Sequence, residues 1–402
     1  MYDDFKEEIY MGNKNEKKAI AKENWISSFA IIGAAKISDY TFKIDEKSEK
    51  SAWIYNSMNL GIDCGEKDGT VYVEMMGGYS DEQAGVIYAH GKKEDGSDDF
   101  SAQIQVAWED RFNEDILETI GDLSFITVGL EKTDKGKTFY KKFLSAYDAI
   151  AYAKAHLEDG MVINVRGNLK YSIYQDKVQC RKNITSIVLS AVDDSSKYSA
   201  RFTQSILINQ DSASLKEVDK DKSVMYIHAR VLDYIKEYND IEVKGQFPFN
   251  KDFEFELDLT KPDICKKVYD KVFKVKKGIT QITFEGEFVE GGATVTATLD
   301  DVPDDIKDLI ELGLYSEEEA LARCSSNGSK EQRMILRKPF IRLVGEEKTP
   351  VLQKFEERYT EDDLYLDYLY EAEKQAERDG ENVDTSNTES ASASDLSWLD
   401  AL

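Results

Sequence analysis

Apolar and polar residues alternate with a period of two along most of this chain, the pattern of half-buried strands. The clearest case is Gly160–Leu189, GMVINVRGNLKYSIYQDKVQCRKNITSIVL. It alternates, turns once at Gln175-Asp176 and alternates again, which predicts two paired strands. Upstream, Trp25–Ile44 predicts a bent strand or hairpin broken at Ser38-Asp39. Ala52–Cys64 and Thr70–Met76 predict strands on either side of a Gly65–Gly69 turn, with Gly77-Gly78 ending the run. Phe100–Trp108, Phe125–Leu130 and Lys137–Phe143 complete the first block.

The period then changes. Leu144, Tyr147, Ala151 and Ala155 fall near helical spacing, and Glu158-Asp159-Gly160 stops that helix. Beyond the central hairpin, Tyr198–Ile208 predicts a strand and Ser212–Lys222 a polar linker. A third block follows, with strands at Val224–Tyr234, Ile241–Phe247 and Asp252–Leu259, a helix at Pro262–Lys277, and a hairpin of Ile279–Val289 with Ala293–Leu299. Pro303–Leu314 and Ser316–Cys324 predict two helices, and Met334–Val344 a strand interrupted by Pro339. Thr360–Arg378 predicts a helix with Thr360 as its N-cap and acids in its first turn.

These elements divide the chain into an arm (1–24), a β-domain (25–143), a helix with a second β-domain (144–211), a third β-rich unit (223–345), a helical segment (346–378) and a tail (379–402). The segments starting at Phe29, Val162 and Val224 open alike, with a small residue (Gly33, Gly167, Ala229) amid alternation. A small residue lets a strand bend sharply, which suits small closed barrels. The expected fold is mainly β (β+α), several small barrels with connecting helices.

Charge changes this picture in two places. The 402 residues carry 52 basic and 78 acidic side chains, net −26. Yet Lys135–Lys182 holds ten Lys and Arg against four Asp and Glu. Glu361–Leu402 is the reverse, with 13 acidic and 2 basic residues, and from Asp379 to Ser394 it is the polar composition of a disordered segment. The chain then turns apolar again at Asp395-Leu-Ser-Trp-Leu-Asp-Ala-Leu402.

Chemistry is sparse. His90, His156 and His228 stand far apart, and no phosphate loop, nucleophile elbow or zinc-protease motif occurs. Cys64, Cys180, Cys265 and Cys324 have no metal-site spacing and read as free thiols. The expectation is a protein that is not an enzyme and needs no metal or cofactor. With no signal peptide and no apolar run of membrane-spanning length, it is expected in the cytoplasm.

Binding is better supported. Single-stranded nucleic acid needs positive charge for phosphates and flat rings for bases. The hairpin supplies Arg166, Lys170, Lys177, Arg181 and Lys182, interleaved with Tyr171 and Tyr174. Alternation places Arg166 with Lys170 on one strand face, and Lys177 with Arg181 on another. The first block offers Lys43, Trp53 and Tyr55, with Tyr40 and Phe42 nearby. The tail can imitate phosphate in the same groove, or deliver Leu396, Trp398, Leu399 and Leu402 into a partner's pocket.

With these residues in view, the basic aromatic hairpin and the tail ending DLSWLDAL resemble single-stranded DNA-binding proteins built from OB-folds. More narrowly, the chain is similar to replication-associated binding proteins of bacteriophages of Gram-positive hosts. The likeness is strongest over 161–208, weaker over 25–143 and loose over 224–345. It implies OB-like barrels and single-stranded DNA as ligand. It also implies a role in DNA replication or recombination, with proteins of those processes recruited by the tail and the host cytoplasm as location. Two departures stand out: the tail lacks the D-D-D-I-P-F ending of bacterial relatives, and residues 1–360 are net −15. A virion assembly protein, or an acidic mimic of DNA that inhibits a host nuclease, are the rival readings.

Overall fold

A computed structural model describes residues 24–49, 51–80, 85–174, 177–192, 194–238, 241–291, 331–345 and 347–364. Strands dominate it: β1 (Ser27–Lys36), β2 (Phe42–Lys47), β3 (Trp53–Asp63), β4 (Thr70–Ser80), β5 (Val86–Lys92), β6 (Asp98–Ala107), β7 (Ile126–Lys132), β8 (Thr138–Phe143), β9 (Val162–Tyr174), β10 (Lys177–Leu189) and β11 (Ser199–Ile208). There follow β12 (Val224–Tyr238), β13 (Ile241–Glu256), β14 (Ile279–Gly291), β15 (Glu331–Pro339), β16 (Ile341–Val344), β17 (Thr349–Leu352) and β18 (Lys354–Tyr359). The protein is mainly β, with one sheet of fourteen strands among the described residues.

Two runs of pairing within that sheet return to their starting strand. β1 pairs antiparallel with β3 and β3 with β4. β4 meets β10 in parallel at Glu74 and Asn183, β10 pairs antiparallel with β9, and β9 returns to β1. The helix Ala146–His156 lies between β4 and β9 in the chain. The second run repeats this order: β11 meets β12 at Leu207 and Arg230, and β12 neighbours β13. β13 pairs in parallel with β15, β15 antiparallel with β14, and β14 returns to β11. Here the helix Pro262–Val268 lies between β13 and β14. The rings join where β1 pairs antiparallel with β11.

Their cores differ. Inside the first ring Ile31, Met58, Leu60, Ile62, Val71 and Ile163 are aliphatic and buried. The second is built on rings: Phe202 lies 5.0 Å from Phe288 and 6.4 Å from Phe253, and Phe273 stacks on Phe284 at 5.5 Å. Such aromatic pairs add about 0.5–1.5 kcal/mol each beyond the area they bury. The helix Ala146–His156 presents Ala149, Ile150 and Ala153 to the interior, and Ser145 caps it by accepting the Tyr147 N–H at 3.1 Å.

Several expectations need correction. The run from Thr70 does not stop at Gly77-Gly78; β4 continues to Ser80 because only glycine fits there. A Cβ on Gly78 would lie 2.0 Å from the Ile54 carbonyl, and one on Gly77 2.7 Å from Ala146 Cβ. The strands expected at Ile241–Phe247 and Asp252–Leu259 are one strand, β13, whose Phe249 and Phe253 keep the buried alternation through Pro248. The helix at Pro262–Lys277 ends its α-helical part at Val268. The segment expected to be helical from 346 first forms β17 and β18. The sheet itself is continuous, since β1 pairs with both β9 and β11. Pro339 does interrupt the last strand, separating β15 from β16.

By compactness the described chain forms two units. The larger comprises Lys22–Asp233 and Pro248–Arg358. The smaller, in its described part, holds 234–238, 241–247 and 359–364; within it the Tyr238 and Phe247 rings pack in a tilted arrangement with centroids 4.9 Å apart. There Thr360 caps the turn Glu361–Leu364 as expected: its hydroxyl accepts the Asp363 N–H at 3.2 Å, while Asp363 accepts the Thr360 N–H at 2.8 Å. The arm at 1–23, the strand at Ala293–Leu299, the helices at Pro303–Leu314 and Ser316–Cys324, and the tail lie outside the described residues.

Candidate nucleic-acid interface

The β9–β10 hairpin forms as the alternation predicts, with Lys170 opposite Arg181 and Tyr174 opposite Lys177. Arg166, Lys170, Lys177 and Arg181 are all exposed, and all stand on the outer face of the first ring. Their electrostatic situations differ. Lys170 Nζ is 3.0 Å from Asp233 Oδ1, while Asp233 Oδ2 accepts the Tyr171 N–H at 2.7 Å. Among the described residues, Arg181 has one loose carboxylate contact, with Glu74 at 3.9 Å. Among the described residues, the Arg166 side chain meets no carboxylate.

Two members of the expected site point the other way. Tyr171 is 3 % exposed, and its hydroxyl donates to Gln204 Oε1 at 3.1 Å. Burial, reinforced by Cys180 beside it, drives its phenol well above the ordinary range. Lys182 is 4 % exposed, with its ammonium 4.6 Å from the centre of the Phe288 ring. Neither can reach a nucleic acid. Adjacent strand residues face opposite sides, so Lys170 outside requires Tyr171 inside, and Arg181 outside requires Lys182 inside. Tyr174 closes the hairpin in the backbone ladder, and its side chain lies outside the described residues, as do Leu396, Trp398, Leu399 and Leu402.

The outer face continues onto β4 and β3 through a row of directly paired residues: Asn168, Asn183, Glu74 and Asn59. On this side Trp53 is exposed, Tyr55 half-buried, and Lys43 stands beside Ser57 on the same face. The β2–β3 hairpin is fixed from below by Asn56, which is buried. Its Oδ1 accepts the Asp45 N–H at 2.8 Å and its amide donates to the Tyr147 carbonyl at 2.8 Å. Tyr147 in turn donates its hydroxyl to Asp45. The sequence reading missed Tyr72, an exposed ring on β4 lying against Gly61, where a Cβ would be 3.4 Å from Tyr72 Cε1. The signal was present: in TVYVEMM, Tyr72 has the outward parity of Glu74. Exposed Tyr40 lies in the turn before β2.

The stretch between β4 and the helix forms its own hairpin, β5–β6, over a small core of Ala89, Val106, Ile120 and Phe125. β5 was not foreseen. His90 cross-links this subregion: its Nδ1 is 2.9 Å from Ser124 Oγ and its Nε2 2.8 Å from Asp98 Oδ1. The Leu123 N–H, followed by His90, holds the Asp98 carboxyl below its usual range. The Ser124 hydroxyl also accepts the His90 N–H at 3.1 Å, so the ring ties the 3-10 turn at Asp122–Ser124 to the hairpin. Cys64, Cys180 and Cys265 are buried, and none forms a disulfide among the described residues. Among the described residues no helix is long and apolar enough to cross a membrane.

Comparison with known proteins adds little to this geometry. A family described as YorF matches residues 91–288. No curated protein matches the chain. Among solved structures, a deletion mutant of the single-stranded DNA binding protein from Thermus aquaticus aligns over 66% of this chain and 87% of its own, at 8% identity and a TM-score of 0.29.

Proposed function

We propose that this protein binds single-stranded DNA, without catalysing a reaction, through the outer face of its first strand ring. The observation that carries the reading is the continuity of that face. One exposed surface joins the rings of Trp53, Tyr55 and Tyr72 to the cations Lys177 and Arg181 through the paired row from Asn59 to Asn183. Bases stacked on such rings contribute about 1–3 kcal/mol each whatever their sequence. Strand order supports reading each ring as an OB-like barrel: three successive ring strands, a helix, then an antiparallel pair whose second strand closes in parallel on the third. OB-folds bind oligonucleotides on the face of strands two and three, which here are β3 and β4.

On the sequence resemblance, we assign this binding to replication or recombination of phage DNA. The apolar end of the tail, Leu396, Trp398, Leu399 and Leu402, would recruit a partner protein. Fluorescence titration with oligo-dT tests the reading. Affinity should fall with salt, with a slope of about −0.7 per phosphate neutralised. Absence of binding at low salt, even after deletion of residues 379–402, overturns it.

A further inference from the structure

The strand registers define a second row of directly paired side chains, transverse to the strands. From one end it reads Lys142 on β8, Thr127 on β7, Ser186 on β10, Arg166 on β9, Ala30 on β1 and Arg201 on β11. Directly paired residues share a sheet face. The row therefore lies on the outer surface at a level different from the aromatic face of β3 and β4, and it crosses from the first ring into the second. Lys142, Arg166 and Arg201 are exposed, while the three residues between them are small and half-buried. At about 4.8 Å between strands, the row spans roughly 24 Å along the curved surface.

The charges on this row are unevenly committed. Lys142 shares its charge with Asp122 at 3.0 Å. Among the described residues, neither Arg166 nor Arg201 meets a carboxylate, although the body of the chain is strongly acidic. Beyond Arg201 the row reaches Glu287, whose burial is outweighed by hydrogen bonds from Lys67 and Arg337 that keep its carboxyl below the ordinary range. That acid is paired on both sides, at 2.8 Å from each cation, so it does not close the row to an anion.

We infer that this row is a backbone track for single-stranded nucleic acid, carrying a strand from the aromatic face of the first ring onto the second ring. This rests on the reading of the first ring as a single-strand binder. The row has cations at intervals and small residues between them, but no exposed ring, so it would hold phosphates and leave bases unread. Arginine suits phosphate because its planar fork can donate two hydrogen bonds at once.

The test compares two lengths of oligo-dT with the full chain at low salt. A strand of about 10 nucleotides fits one barrel face, and one of about 30 reaches both rings. Arg201→Glu should weaken binding of the longer strand about tenfold, leave the shorter unchanged, and reduce the salt slope for the longer strand alone. Ala30→Glu, which places an acid between Arg166 and Arg201 without removing either, should act alike; circular dichroism would show that both variants fold. If both variants bind the longer strand as the wild type does, the track is overturned and the first-ring reading stands. If the wild-type protein binds neither strand, both fall.

Discussion

Phe29 and Phe202 stand directly opposite each other where β1 pairs with β11, and each also faces a glycine of its own ring, Gly167 and Gly286 respectively. Behind each glycine is a backbone carbonyl of the ring's last strand. A Cβ on Gly167 would lie 1.9 Å from the Asn183 oxygen and 2.8 Å from Phe29 Cε1. On Gly286 it would lie 2.5 Å from the Ile335 oxygen and 2.2 Å from Phe202 Cζ. A register shift accompanies each glycine, at Ile184/Ser186 and at Glu285/Gly286. The two rings are thus built on the same local device and meet through equivalent residues.

Gly286→Ala should therefore destabilise the protein by about 3 kcal/mol or more, because the new methyl meets a ring and a carbonyl that cannot both retreat. Gly167→Ala should cost a similar amount. Urea denaturation followed by intrinsic fluorescence measures both. A loss under about 1 kcal/mol at either site would show that the strands slide apart more easily than their pairing implies.

The two inward-facing residues of the hairpin should affect stability, and the outward ones affinity. Tyr171→Phe removes a buried hydroxyl bonded to Gln204, at a cost of about 1 kcal/mol, without changing oligo-dT affinity. Trp53→Ala should instead weaken oligo-dT binding by about 1–3 kcal/mol. Paired denaturation and binding curves for the two variants separate these roles.

Among the outward cations, Arg181→Ala should reduce affinity more than Lys170→Ala, since the Lys170 ammonium is held by Asp233. Asp233→Ala should be the more disruptive change to folding. It removes the acceptor of the Tyr171 N–H as well as the partner of Lys170, and should cost about 2–4 kcal/mol. Binding titrations at two salt concentrations, with thermal melts of the same samples, check the order.

Asp68 gives a pH signature. It is 3 % exposed; one carboxylate oxygen accepts the Ala200 N–H at 3.0 Å, and the other has no partner among the described residues. Burial raises its pKa above the ordinary 3.8 despite that hydrogen bond. A carboxyl raised in the folded state favours folding below its unfolded pKa, and loses that contribution as pH rises through the folded value. Asp68→Asn keeps an acceptor and carries no charge. It should match the wild type near pH 3 and exceed it by about 1 kcal/mol at neutral pH, as read from urea midpoints.

Much of the fold was legible because strands announce themselves by parity. The hairpin β9–β10 and its outward cations follow from alternation alone, and Thr360 marks a helix start by ordinary capping chemistry. The repeat was harder to see. Phe29, Val162 and Val224 looked equivalent because each precedes a small residue, but they open a first, a fourth and a second ring strand. The true correspondence, Phe29 with Phe202 and Gly167 with Gly286, depends on which strands pair, and pairing is a long-range property that local patterns do not encode. Tyr171 and Lys182 were misplaced for another reason. Their residue types suit binding, yet parity had already turned them inward. Tyr72 is the converse, a useful ring hidden in a short strand with no charge to draw notice.

The pairing of β1 has a kinetic consequence. This strand ends at Lys36, yet its partners β9 and β11 end at Tyr174 and Ile208. At about 5–20 residues per second, ribosomal synthesis leaves β1 without those partners for roughly 10–30 seconds. Such distant pairing slows folding and exposes an apolar strand edge to other chains meanwhile. Refolding of the whole protein should accordingly be slow and sensitive to concentration, and the nascent chain is a natural client for chaperones until the second ring has emerged.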